Sequence, residues 1–200
     1  TGLRESTLIV IAGDHGEEIG EHGEYGHRFR FYEESINVPM IFHMPHLEEK
    51  RISGLSDLSD IAPTILGFAG IEIPDTYTGH DLTKNKNGKK YIQMEVFHRG
   101  NCLFKYKPLY MSIRTDNFKY IWKEWKDEED VSGGENVELY NINEDRGERV
   151  NIAKQAPEVI SSMQDIVAKR LSELPDYIDN RSKKSLDDNG VSKYLKNDAK

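Results

Sequence analysis

The chain has 200 residues, 36% hydrophobic and 31% charged, with 27 Lys+Arg against 35 Asp+Glu and a formal charge of −8. That acidic balance makes it a poor candidate for non-specific nucleic-acid binding, which runs on phosphate neutralisation by Lys and Arg. No apolar run approaches the roughly 18–20 residues of a membrane span, and a single cysteine, Cys102, excludes an internal disulfide.

Thr7-Leu-Ile-Val-Ile-Ala12 is a continuous apolar run rich in β-branched residues and stopped by Gly13. Such a run predicts a strand buried on both faces, as in a central parallel sheet. A strand of that kind needs neighbours on both edges. Together with a start at Thr1 rather than Met, this suggests a piece of a longer protein whose front portion supplies them. Residues 13–35 are rich in Gly, Glu and His without a clean period. They read as a long loop with one short helix, and long loops in compact domains tend to be functional. Val38–Met44 is a second buried-type strand, with Pro39 near its start.

Asp60–Gly70 is a punctuated helix, with Asp60 as N-cap, Pro63 in the first turn and Gly70 just past the end. Residues 72–90 form a polar connector, and a subdomain boundary is expected near residue 88. Beyond it lie strand-like pieces at Tyr91–Phe97, Tyr110–Thr115, Phe118–Trp122 and Val137–Tyr140. Thr115-Asp116-Asn117 is a tight turn between two of them. Lys123–Asn136 reads as an acidic solvated hairpin loop, Pro157–Leu174 as an amphipathic helix and 176–200 as a polar tail.

The stretch Gly13–His27 carries the chemistry. Asp14 and His15 directly follow a strand, where open α/β sheets bind ligands, and Gly13 and Gly16 let the backbone approach closely. A hard carboxylate oxygen beside a neutral imidazole suits a divalent cation. The alternative is that Asp14 caps the next turn and His15 is a hydrogen-bonded loop residue. A metal site would need further carboxylates from elsewhere. His27 ends the Gly-rich loop, where it could protonate a leaving group or bind an anionic oxygen. Arg28 and Arg30 either clamp an anion or pair with Glu17, Glu33 or Glu34. His22, His43 and His46 read as surface or packing residues. Cys102 reads as a packing residue, and Tyr110, Tyr120, Trp122 and Trp125 as sheet packing.

Leu8–Gly23, then Gly26-His27, then Tyr32–Phe42, resembles the sulfatase family of the alkaline-phosphatase superfamily. The resemblance continues in register through Asp60–Leu66, Gly79–Leu82, Ser112–Ile121 and Glu138–Ala153. It implies an α/β fold: the C-terminal part of an alkaline-phosphatase-like mixed sheet with flanking helices, then a small antiparallel subdomain with a C-terminal helix. The implied division is 1–88 for the catalytic part, 89–175 for the small subdomain and 176–200 for the tail.

The resemblance further implies metal-dependent hydrolysis of sulfate esters, with a sulfated small molecule or glycan as substrate. Asp14 and His15 fall on metal-binding positions, His27 on a catalytic and substrate-contacting one, and Arg28 beside it. The cation implied is calcium, with Mn2+ or Zn2+ open because His15 is atypical of an all-oxygen shell. The family's nucleophile is a formylglycine made within a Cys/Ser-x-Pro/Ala-x-Arg motif. This sequence contains no such motif, so the nucleophile and the remaining ligands are expected on an N-terminal half, and the chain alone is expected to be inactive. The competing readings are a phosphoryl-type relative, such as a phosphonate monoester hydrolase or phosphoethanolamine transferase, and a non-catalytic module.

Overall fold

The computed structural model describes residues 2–27, 30–85, 87–96, 110–123 and 137–173. Arg28, Cys102, Trp125, Leu174, residues 124–136 of the loop expected over Lys123–Asn136 and the tail expected over 176–200 lie outside the described residues, while Lys123 ends a strand.

Two short strands open the fold. β1 (Ile9–Ala12) pairs antiparallel with β4 (Met40–His43), with Ile9 opposite His43 and Ala12 opposite Met40. The antiparallel pairing of the two strands differs from the parallel arrangement the apolar runs suggested. Among the described residues each has one neighbour, and Ile9 and Ile11 are 47% and 55% exposed. The β-branched run still makes a strand, because that choice is local. Burial depends on what covers the faces, and no described layer covers these.

Between them, the stretch expected to be a loop contains a tight hairpin. β2 (Glu18–Ile19) pairs antiparallel with β3 (Tyr25–Gly26). Gly20 and Gly23, both at positive φ, turn the chain between them. The expected short helix follows as α1 (Glu33–Ile36).

α2 (Ile61–Ala69) ends on Gly70 in the left-handed conformation, as its punctuation predicts. Its start differs from the sequence reading. Asp57, not Asp60, caps the turn at Leu58–Asp60, accepting from Ser59 N at 2.9 Å. Asp60 is fully buried and points back, accepting from the backbone N–H groups of Asp57 at 3.0 Å and His80 at 2.6 Å. A carboxylate so placed organises the connector instead of capping α2. Phe68 of α2 packs against Phe42 of β4, ring centroids 6.1 Å apart.

The C-terminal sheet runs β5 (Ile92–Val96), β6 (Tyr110–Arg114), β7 (Phe118–Lys123), β8 (Val137–Asn141) in spatial order, antiparallel throughout. The expected turn joins β6 to β7, with Thr115 N donating to Phe118 O at 2.8 Å. Successive strand residues face opposite sides, and here both sides are covered. Met111, Ile113, Tyr120 and Leu139 meet Met163 and Val167 of α3 (Pro157–Glu173). On the other side Ile121, Tyr140 and Ile142 pack with Phe31 and Tyr32. Each fully buried aliphatic side chain contributes about 1.5–3 kcal/mol. Arg170 of α3 reaches Glu95 of β5 at 2.6 Å, closing the helix onto the sheet edge.

The second face presses the sheet against the segment leading into α1. Polar groups make the seam specific. Glu138 accepts from Tyr32 Oη at 3.0 Å, Tyr140 Oη at 2.9 Å and Lys123 Nζ at 2.7 Å. Lys119, which shares this face with Ile121, is fully buried and lies 2.7 Å from both Glu33 and Glu148.

Candidate active site

The loop after β1 is suspended from α1 by two backbone hydrogen bonds. Gly16 N donates to Ser35 O at 2.8 Å, and Glu17 N donates to Glu34 O at 3.0 Å. The approach is so close that a Cβ on residue 16 would fall 1.9 Å from Glu34 O. Only glycine permits it. α1 is in turn fixed to the C-terminal sheet by the Glu33–Lys119–Glu148 triad, and Glu33 N donates to Glu148 Oε2 at 2.7 Å. Burial pushes the Glu33 carboxyl up, but the Lys119 ammonium and Arg114 outweigh it and hold it below the usual carboxylate range. Glu148, deeper still, is raised by burial despite Lys119.

Asp14 and His15 stand just beyond the end of β1. Asp14 is almost fully exposed, and its Oδ1 accepts from His15 N at 3.0 Å. That backbone bond holds its carboxyl below the ordinary 3.8. His15 Nδ1 lies 2.8 Å from Gly16 O. A carbonyl only accepts, so Nδ1 carries the proton and Nε2 keeps the free lone pair. The same bond raises the His15 pKa above 6.5, helped by the charges of Asp14 and Glu17.

The structure brings His27 to this pair. Its ring centroid is 4.2 Å from that of His15, and its Nδ1 is 3.0 Å from Glu17 Oε1. Hairpin register explains the contact. Glu18 opposes Gly26 and Ile19 opposes Tyr25, so Glu17 and His27 are the next facing positions at the open end. Glu17 is the residue the sequence reading missed in this role, having been considered only as an ion-pair partner for arginine. The available signal was the pair Gly20 and Gly23 three residues apart, which marks the turn and sets the register.

The remaining candidates separate. Arg30 is an internal strut, 3.7 Å from Glu18 and 3.6 Å from Glu24, carboxylates other than those expected. His22 is largely buried and structural. It stacks on Tyr32 at 3.7 Å, meets Glu34 at 2.5 Å and approaches Glu148 O at 3.1 Å. His46 is exposed beside Glu5. The site is therefore an exposed cluster of Asp14, His15, Glu17 and His27 on a loop and hairpin held from beneath.

Asp14 and His15 could hold a divalent cation as two adjacent donors, a carboxylate oxygen that suits a hard ion and a free Nε2 that suits a borderline one. Two donors are too few for the 6–8 that calcium takes, so further groups must complete the shell.

Residues 20–176 match the family model described as N-sulphoglucosamine sulphohydrolase, C-terminal. Arylsulfatase K of Bos taurus is 31% identical over 176 residues, covering 81% of this chain and 30% of that protein. Delta 4,5-hexuronate-2-O-sulfatase of Bacteroides thetaiotaomicron is 28% identical over 185 residues, covering 89% of this chain and 36% of that protein. Among solved structures, a complex with its substrate D-glucosamine-2-N,6-O-disulfate superposes with a TM-score of 0.59 at 28% identity, covering 86% of this chain and 34% of that one. The chain thus spans 30–36% of the length of these curated relatives.

Proposed function

The chain belongs to the sulfatase family, and on that premise we propose that it forms one wall of the active site of a metal-dependent sulfuric ester hydrolase acting on a sulfated sugar. The observation that carries this reading is the convergence of Asp14, His15 and His27, from two separate turns, within one exposed cluster. The relatives' named substrates, a sulfated hexuronate and a sulfated glucosamine, support the sugar class.

Asp14 and His15 Nε2 would hold a divalent cation, calcium by family expectation, alongside carboxylates from the rest of the molecule. Such an ion supplies Lewis-acid polarisation of a sulfate oxygen. Glu17 accepts from His27 Nδ1–H, which leaves Nε2 free. A protonated Nε2 can hydrogen-bond the ester's leaving oxygen and donate a proton to it as the S–O bond breaks. The family resemblance adds Arg28 as a candidate contact for the anion. The formylglycine nucleophile and the layer covering Ile9 and Ile11 would come from the remaining part of the catalytic domain.

The test is Asp14→Ala in the intact protein. Cation binding and turnover of an aryl sulfate or sulfated disaccharide should fall together. Full activity in that variant removes Asp14 from the site. The 200-residue chain alone should turn over no sulfate ester, and turnover by it would overturn the division of labour.

A further inference from the structure

We infer that His15, Glu17 and His27 form a second metal site, a chelate for a borderline transition ion of the Zn2+ class, and that filling it switches the active-site loop off. The binding half stands on this chain's geometry alone. The switching half rests on the proposed sulfatase function.

Each of the three residues offers a donor atom, and these atoms lie within 4.8 Å of one another. Two imidazoles and one carboxylate are a donor set that zinc takes in open sites, leaving a position for water. Hard calcium prefers oxygen. All three side chains are exposed, so a hydrated ion reaches them without opening the fold. The backbone presets the arrangement. Glu17 and His27 face each other across the hairpin mouth, and residues 16 and 17 hang from α1 by their backbone bonds.

The switch follows from the tautomer of His15. Its Nδ1 is committed to Gly16 O, so its one free lone pair is on Nε2. Asp14 Oδ2 lies 3.9 Å from that same Nε2. The lone pair can serve an ion shared with Asp14 or an ion shared with Glu17 and His27, never both. An ion in the chelate therefore removes His15 from the hard-cation site and His27 from the leaving oxygen at once.

The experiment is calorimetric titration of Zn2+ into the full 200-residue chain, with Co2+ absorption as a report on ligand geometry and circular dichroism to verify folding. One zinc per chain should bind. His27→Ala and Glu17→Gln should each weaken binding by about tenfold or more. His46→Ala, which removes an exposed imidazole outside the cluster, should leave it unchanged. Zinc binding of the same strength in the folded His27→Ala and Glu17→Gln chains overturns the site, as does binding that disappears in His46→Ala. In the intact protein, Zn2+ should inhibit sulfate-ester turnover and added Ca2+ should relieve it. Inhibition that Ca2+ does not relieve overturns the switch. An intact protein that binds zinc as described but hydrolyses no sulfate ester sinks the sulfatase reading and leaves the chelate standing.

Discussion

The Lys119 ammonium lies 2.7 Å from the Glu148 carboxylate with both side chains sealed from solvent. Glu33 reaches the same ammonium at 2.7 Å, so one buried cation ties the C-terminal sheet to the helix from which the loop after β1 hangs. Removing one partner of a buried pair leaves an uncompensated charge and costs about 3–5 kcal/mol. Lys119→Met should therefore lower the denaturant midpoint strongly. Adding Glu148→Gln should recover part of the loss, because one stranded carboxylate disappears. Denaturant unfolding of the single and double variants checks both statements, and an unchanged midpoint in Lys119→Met contradicts them.

Gly16→Ala tests the suspension of the loop. The new methyl would sit 1.9 Å from Glu34 O, a backbone atom that cannot swing away. The loop must separate from α1, breaking the hydrogen bonds from Gly16 N and Glu17 N. A cost of about 1–3 kcal/mol is typical of such overpacking. Amide exchange at residues 16 and 17 should accelerate while exchange in the C-terminal sheet stays slow.

His27→Ala in the intact protein should lower kcat by about 10²–10⁴, the range for a lost proton donor. The loss should be smallest for esters with good leaving groups, which need little protonation. A uniform loss across leaving groups in steady-state kinetics would place His27 in binding instead.

Acid sensitivity is expected at the capping turn before α2. Burial pushes the Asp57 carboxyl up, but Lys89 at 2.5 Å and the Ser59 hydroxyl and amide outweigh it, so its pKa falls below the ordinary 3.8. A carboxyl more acidic in the folded state stabilises the fold at pH above its unfolded value. That contribution is lost as pH falls through the folded value. The melting temperatures of wild type and Asp57→Asn should differ at neutral pH and converge in acid below 3.8.

Much of the architecture is written locally. The strands of the C-terminal sheet, the Thr115 turn, α3 and the Gly70 stop of α2 follow from periods and turn residues within a few positions of each other, so they were legible. Asp14 and His15 were singled out as candidates on a local pattern too, a Gly-bracketed pair after an apolar run. Which residues would gather around that pair was not legible. Glu17 joins through hairpin register, Asp60 is turned inward toward His80 and Lys89, and Glu33 meets Glu148 across 115 residues. A lysine in an otherwise ordinary strand carries no mark saying that it will be buried between two carboxylates. The sequence by itself determined the strands of the C-terminal sheet, α3 and the end of α2, because backbone preference is set by neighbours. Only the tertiary structure decided burial and partnership, because desolvation and charge pairing depend on which distant surfaces close over a side chain.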